Sequence, residues 1–95
     1  SVDEINSENL SFFQLSPNPA VDVTRVNFEL KSNSNVAYEV RDVNGKLISF
    51  SNMGKFSAGK NSFDLNVSSF ENGNYMVSMV IDGSRMFTKV LNVVR

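Results

Sequence analysis

Residues 75–94 read YMVSMVIDGSRMFTKVLNVV, and this segment sets the fold class. Apolar or aromatic side chains occupy every second position from Tyr75 to Ile81, which is the period of a strand with one buried face. Asp82-Gly83 then interrupts the pattern with a dipeptide that favours a tight reversal, and residues 84–94 return as a second apolar segment. The segment therefore predicts an antiparallel β-hairpin.

The second arm of this hairpin is apolar on both sides. Phe87, Leu91 and Val93 point one way, whereas Val90 and Val94 point the other. A strand with one face in water carries polar residues on that face, so two interpretations stay open. Either both faces are buried (or the segment is a loose apolar tail), or another protein recognises the strand through its edge or its side chains.

The rest of the chain shows further strand signals at spacings of about ten residues. Alternating apolar residues predict strands at residues 10–15, 25–31, 36–41, 46–53 and 62–67, with a longer loop at residues 54–59. With the two hairpin arms this makes seven strands and no convincing helix. A two-sheet antiparallel sandwich is expected, because each sheet must cover its apolar face with the other; an open barrel is the lesser alternative.

Turn chemistry separates these strands. Asn44-Gly45 favours a type I′ hairpin because both residues readily adopt positive φ, and the Asp42 carboxylate is expected to accept nearby amides. The other predicted backbone reversals are at Gly59, Gly73 and Gly83.

The Pro17-Asn18-Pro19 motif and Tyr75 are interpreted first as structural features. Pro17-Asn18-Pro19 is expected to end the first strand, because each proline removes an amide donor and keeps its predecessor extended. Its functional interpretation is a rigid corner that holds the preceding linker within reach of a processing enzyme. Tyr75 is expected to be a core aromatic with its hydroxyl at the rim.

Composition excludes several functions. The 95 residues contain no His and no Cys, which excludes a Ser-His-Asp triad, a cysteine nucleophile and a His/Cys zinc site. The ten acidic residues are scattered, which disfavours a carboxylate pair, and Asp42 with Asn44 offers too few ligands for calcium. A net charge of −1 argues against nucleic acid, and the apolar runs are too short to span a bilayer. We expect no enzymatic activity, cofactor or metal.

The chain is organised as one domain after a linker. Residues 1–9 (SVDEINSEN) are polar and acidic and predict a flexible linker, whereas residues 10–95 predict the folded domain. Because the sequence opens with Ser1 and has no signal segment, it is expected to be a piece of a longer precursor.

Five segments follow one another in a characteristic order. They are SPNPA at residues 16–20, VRDVNGKLI at residues 40–48, LNVSSF at residues 65–70 after Gly59, NGNYMV at residues 72–77, and KVLNVVR at residues 89–95. Each is weak alone, but the order and spacing are specific. Residues 10–95 thereby resemble the type A C-terminal sorting domain of proteins exported by the type IX secretion system of Bacteroidetes.

The resemblance implies a seven-stranded antiparallel Ig-like Greek-key sandwich that serves as a secretion signal for an upstream cargo domain. It implies recognition by the outer-membrane type IX translocon and shuttle proteins, then cleavage upstream of the domain by a sortase-like cysteine peptidase. The implied location is the periplasm in transit and then the cell surface or the medium. The implied recognition residues are Lys89, Val90, Leu91, Asn92, Val93, Val94 and Arg95.

The sequence departs from the family pattern at two positions, which leaves the turn chemistry intact and affects only fine recognition. Arg41 stands where an aromatic residue is frequent, and Arg95 stands where Lys is frequent. Two other functions stay open: a carbohydrate-binding module, disfavoured by the absence of Trp, and a passive Ig-like spacer. A homodimer formed by edge-strand pairing is also left open.

Overall fold

Alternating apolar residues form seven strands in the computed structural model, which describes residues 9–95. The predicted linker at residues 1–9 lies outside the described residues, apart from Asn9. No helix occurs between residues 9 and 95, and the predicted seven-stranded all-β fold is confirmed. The strands are β1 (Leu10–Ser16), β2 (Val23–Leu30), β3 (Ser34–Asp42), β4 (Leu47–Phe56), β5 (Gly59–Asn66), β6 (Gly73–Ile81) and β7 (Arg85–Val93).

The strands pair in two antiparallel sheets. One sheet has the order β1-β2-β5, and the other has the order β4-β3-β6-β7. Because β2 and β5, and likewise β3 and β6, are neighbours that are distant in sequence, the connections cross between the sheets as in an Ig-like Greek key. β1 and β7 end as edge strands of different sheets.

The core lies where the apolar faces of the two sheets meet. Val26 and Phe28 of β2 and Val77 and Met79 of β6 are at most 1% exposed. One end of the core is aromatic: Phe28 packs edge-on against Phe56, with ring centroids 5.3 Å apart. This burial of alternate residues from both sheets stabilises the fold without any disulfide, since the chain has no cysteine.

The loop predicted at residues 54–59 was placed wrongly. β4 continues to Phe56 and β5 begins at Gly59, so only Ser57 and Ala58 connect them. Gly54 lies inside β4 with a φ of 88°, where the register against β3 shifts by one residue. The glycine therefore marks a β-bulge within the strand and not the end of the strand.

The type I′ turn predicted at Asn44-Gly45 was also wrong. Gly45 has a φ of 85°, but Asp82 is the one described non-glycine residue with positive φ, so Asn44 does not meet the requirement. The Gly45 N–H donates to the Asp42 carbonyl at 3.0 Å, and the Asp42 N–H donates to the Lys46 carbonyl at 3.0 Å. These bonds define a type I turn followed by a glycine bulge.

The Asp42 carboxylate explains the choice between the two turns. Its Oδ1 accepts the backbone N–H groups of Asn44 at 2.9 Å and Lys46 at 3.0 Å, as expected for an aspartate that accepts local amides. The pair of positive φ values occurs instead at Asp82 (52°) and Gly83 (80°), in the β6–β7 hairpin.

Gly45→Val should destabilise the fold by about 1–3 kcal/mol, because a β-branched residue is strained at positive φ. No heavy atom lies within 4 Å of the added Cβ, so the cost comes from the backbone alone. The measurement is thermal or urea unfolding of the purified domain. Gly45→Asn is the matched control and should destabilise the fold less, because asparagine tolerates positive φ better than valine does. Equal stability of the Val and Asn variants would contradict the assigned turn.

Candidate functional site

β7 separates its side chains onto two faces of the sheet. Leu91 and Val93 point into the core and are fully buried. Met86, Val90 and Val94 lie on the outer side and are 55%, 55% and 46% exposed. Core packing therefore does not explain the apolar residues on the outer side. The interpretation that both faces of this strand are buried is wrong.

The backbone edge of β7 is paired by a short segment from the other end of the chain. The Ala20 N–H donates to the Asn92 carbonyl at 2.8 Å, and the Val94 N–H donates to the Ala20 carbonyl at 2.9 Å. The Asn18 side chain continues the row, donating from Nδ2 to the Val90 carbonyl and accepting the Asn92 N–H at Oδ1, both at 2.9 Å. We call residues 18–20 the clasp.

Buried contacts hold the clasp in place. Ala20 is fully buried against the core and forms a parallel bridge with Val93. The hydroxyl of the buried Thr24 donates to the Pro17 carbonyl at 2.8 Å, which ties the proline corner to β2. The Val67 N–H donates to the Asp22 carbonyl at 2.7 Å. The clasp is thus a fixed part of the sandwich and not a loose connection.

The end of the chain is anchored to the β5–β6 turn. The Arg95 guanidinium donates to the backbone carbonyls of Val67 and Phe70. In the same turn, the hydroxyl of the buried Tyr75 donates to the Glu71 carbonyl at 2.7 Å, and its ring lies 5.1 Å from that of Phe70. This is the geometry of a tyrosine corner.

The structure joins some of the predicted residues and separates others. Asn18 of the Pro17-Asn18-Pro19 motif bonds to Val90 and Asn92 of β7, which brings together two motifs that lie more than 70 residues apart in the sequence. The remaining predicted residues lie at separate turns: Asp42 and Gly45 between β3 and β4, Gly59 at the start of β5, Gly73 and Tyr75 at the start of β6, and Gly83 between β6 and β7.

The outer faces of the two sheets differ in polarity. The four-stranded sheet exposes Phe50 (57%) and Leu47 (47%) on β4 together with Met86 and Val90 on β7. An ion pair between Glu39 and Arg41, 2.6 Å long, lies between these strands. The outer face of the three-stranded sheet is mostly polar, although it exposes Phe12 and Val23. The outer side of β7 thus belongs to the more apolar of the two faces.

Sequence reasoning missed the role of Asn18 and of Thr24. The sequence predicts Asn18 only as part of a corner that ends β1 and positions the preceding linker, because nothing in the local pattern identifies a partner 72 residues away. One signal was available: Asn18 and Ala20 flank Pro19 at the strand period of two, so both can face a neighbouring strand while the proline faces away.

No group of three or more metal-binding side chains occurs in the range of residues 9–95. No helix within it is long and apolar enough to cross a membrane.

The comparisons with known proteins bear on the whole sandwich. A family model described as the secretion system C-terminal sorting domain matches residues 14–93, from β1 to the last residue of β7. This match confirms the resemblance drawn from the sequence motifs. No curated protein matches the chain.

Asn18→Ala should lower stability by about 1–2 kcal/mol, because it removes two hydrogen bonds from the β7 edge. The stability of the Asn18→Asp variant should lie between those of the parent and Asn18→Ala. The carboxylate still accepts the Asn92 N–H but cannot donate to the Val90 carbonyl. Urea unfolding measures the stability, and amide hydrogen exchange at Asn92 measures the edge. Asn44→Ala, in an exposed turn, is the control and should shift stability by less than about 0.5 kcal/mol. Unchanged exchange at Asn92 in Asn18→Ala would refute the clasp.

Proposed function

The chain belongs to the family of type IX secretion C-terminal sorting domains, and from this membership we propose that it directs an upstream cargo protein to the outer-membrane type IX translocon. The family is one of sorting signals and not of enzymes, and its members mark proteins for secretion through the outer membrane. The proposal extends this to direct contact with the translocon and its shuttle proteins, made by residues 89–95.

The observation that carries the proposal is the exposed apolar outer side of β7. Val90 and Val94 are about half exposed, although the neighbouring positions Leu91 and Val93 are fully buried. Exposed apolar residues on a strand of fixed geometry form a surface that a partner protein can bind. The clasp and the Arg95 anchor supply that fixed geometry on both sides of the two valines.

Not every residue of the segment 89–95 is in a position to contact a partner. Leu91 and Val93 complete the core, so we assign them to folding. Asn92 is half-buried: its backbone pairs with the clasp, and its side chain donates to Asn74 at 2.5 Å. Val90, Val94 and Lys89, which is exposed, remain as candidate contacts.

We further propose that a sortase-like cysteine peptidase cleaves the precursor before Asn9. The Lys31 N–H donates to the Asn9 carbonyl, and the Asn9 Oδ1 accepts the Ser32 N–H at 2.9 Å. Asn9 is thus bound to the β2–β3 turn, and a peptidase needs a segment that it can draw into its site. In this proposal the precursor crosses the outer membrane from the periplasm before it is cleaved, and the cargo is then released at the cell surface or into the medium.

A sugar-binding role finds less support in the aromatic side chains. Phe28, Phe56 and Phe63 pack with one another in the core. The two most exposed phenylalanines, Phe12 and Phe50, lie on different sheets. They do not form a shared surface on which a sugar ring could stack.

The double substitution Val90→Ser with Val94→Ser tests the proposed function. In a precursor with a reporter as cargo, we expect export to fall by about tenfold, corresponding to roughly 1.4 kcal/mol of lost binding. The matched control is Val23→Ser with Val43→Ser, which removes two exposed valines that lie outside β7. The reporter is measured in the medium, on the surface and in the periplasm.

Removal of residues 89–95 should abolish export, but it also removes Leu91 and Val93 from the core. The Val90→Ser, Val94→Ser variant is therefore the sharper test, because it leaves the core and the backbone pairing intact. If the Val90→Ser, Val94→Ser variant is exported as efficiently as the control variant, the two outer valines are not the recognition surface. If the deletion variant is also exported normally, the domain is not the sorting signal.

A further inference from the structure

The clasp covers only part of the β7 edge. β1 and β7 belong to different sheets, and the clasp joins them beside residues 90–94. Before that point an open groove lies between the two strands. The described residues that line it are Leu10, Ser11, Phe12, Phe13, Phe87, Thr88 and Lys89.

The uncovered part of the edge carries backbone groups that have no hydrogen-bond partner in the described part of the chain. Asn92 directs both its N–H and its carbonyl to the clasp, and these directions alternate along a strand. The N–H and carbonyl groups of Met86 and Thr88, and the N–H of Val90, therefore also point away from β6. None of them has a hydrogen-bond partner among residues 9–95. Such a row is a template for another extended chain.

The clasp shows that this row accepts a partner. Asn18 presents its amide to Val90 and Asn92 in the manner of a backbone peptide group, and Ala20 pairs through its true backbone. The same row continues without interruption from Val90 to Met86, a distance of about 13 Å at the usual rise per residue. An added segment of four or so residues would extend pairing that already exists.

The side chains of the groove specify what such a segment carries. Phe87 and Lys89 lie on the same face of β7, two residues apart, and the rest of the described lining is apolar or neutral. A paired segment would place one side chain beside each. An apolar residue suits Phe87, and a carboxylate suits the Lys89 ammonium, so the favoured pattern is an apolar and an acidic residue separated by one position.

Lys89 also argues against a second copy of this chain as the occupant. A charged residue that points inward on an edge strand disfavours pairing between identical edges, because it places like charges close together. An acidic partner removes that repulsion. The groove therefore discriminates between a second copy and a different protein.

We infer that residues 86–90 of β7 bind an extended, acidic segment of the secretion machinery by β-strand addition. This inference rests on the proposed function and assigns its mode of contact: backbone pairing gives affinity, and Phe87 and Lys89 give specificity. The outer valines and this edge are adjacent, so one partner can contact both.

Thr88→Pro tests the backbone pairing. Proline removes the outward N–H and projects its ring into the edge, yet leaves the β6 ladder intact because that N–H does not face β6. Thr88→Val is the matched control: both variants lose the hydroxyl contact with Ser78 (2.7 Å), but valine keeps the N–H. With the reporter precursor we expect export of the proline variant to be about tenfold below that of the valine variant.

Lys89 supplies an independent test that does not depend on proline being tolerated. Lys89→Glu should reduce export by about tenfold through like-charge repulsion, whereas Lys89→Arg should retain it. Equal export of the proline and valine variants, or of the Glu and Arg variants, overturns the inference. The proposed function survives that result if the Val90→Ser, Val94→Ser substitution still blocks export, so the two failures are distinguishable.

The oligomeric state of the purified domain tests whether a second copy of this chain occupies the β7 edge. Sedimentation of the purified domain should show a monomer, and the Thr88→Pro variant should sediment identically. A dimer that the proline variant dissociates would identify a second copy as the occupant and overturn the inference.

Discussion

The pairing of the β7 edge by residues 18–20 is the interaction on which the closure of this sandwich depends. An edge strand leaves a row of backbone donors and acceptors without partners, and β7 is such a strand. The clasp fills part of that row. Pro19 has no N–H to offer, but alternation turns its position away from β7, so Asn18 and Ala20 supply the contacts on either side. A polar amide side chain thereby takes the place of a backbone peptide group.

Several other features follow from that closure. Because the clasp fixes residues 90–94, the inward side chains Leu91 and Val93 are held in the core at zero exposure. Thr24, buried and bonded to the Pro17 carbonyl, fixes the clasp in turn. The Arg95 anchor on the β5–β6 turn then secures the last residue of the sequence. These contacts thus hold the corner that follows β1, the end of β7 and the β5–β6 turn together at one end of the sandwich.

The strands were predictable from the sequence because each has a period-two apolar pattern that a single buried face requires. Errors occurred at two glycines, where the local sequence pattern does not determine the backbone conformation. At Asn44-Gly45 the Asp42 carboxylate binds two amides and selects a type I turn with a bulge. At Gly54 the glycine permits a bulge, so the strand continues where an end was expected. The clasp escaped prediction because its hydrogen bonds join residues 72 and 74 positions apart, and local spacing contains no information on such pairs.

The position of β7 couples recognition to folding. Its inner side chains are needed to complete the core, while Val90 and Val94 on the outer side become fixed only when that core has formed. The geometry of its edge depends on Asn18, which belongs to the other end of the domain. An unfolded terminal segment would have the same sequence but neither a fixed outer face nor an ordered row of backbone groups. A partner that binds the folded strand therefore distinguishes a completed domain from an incomplete one, and substitutions at Asn18 or Thr24 should affect recognition without touching the partner.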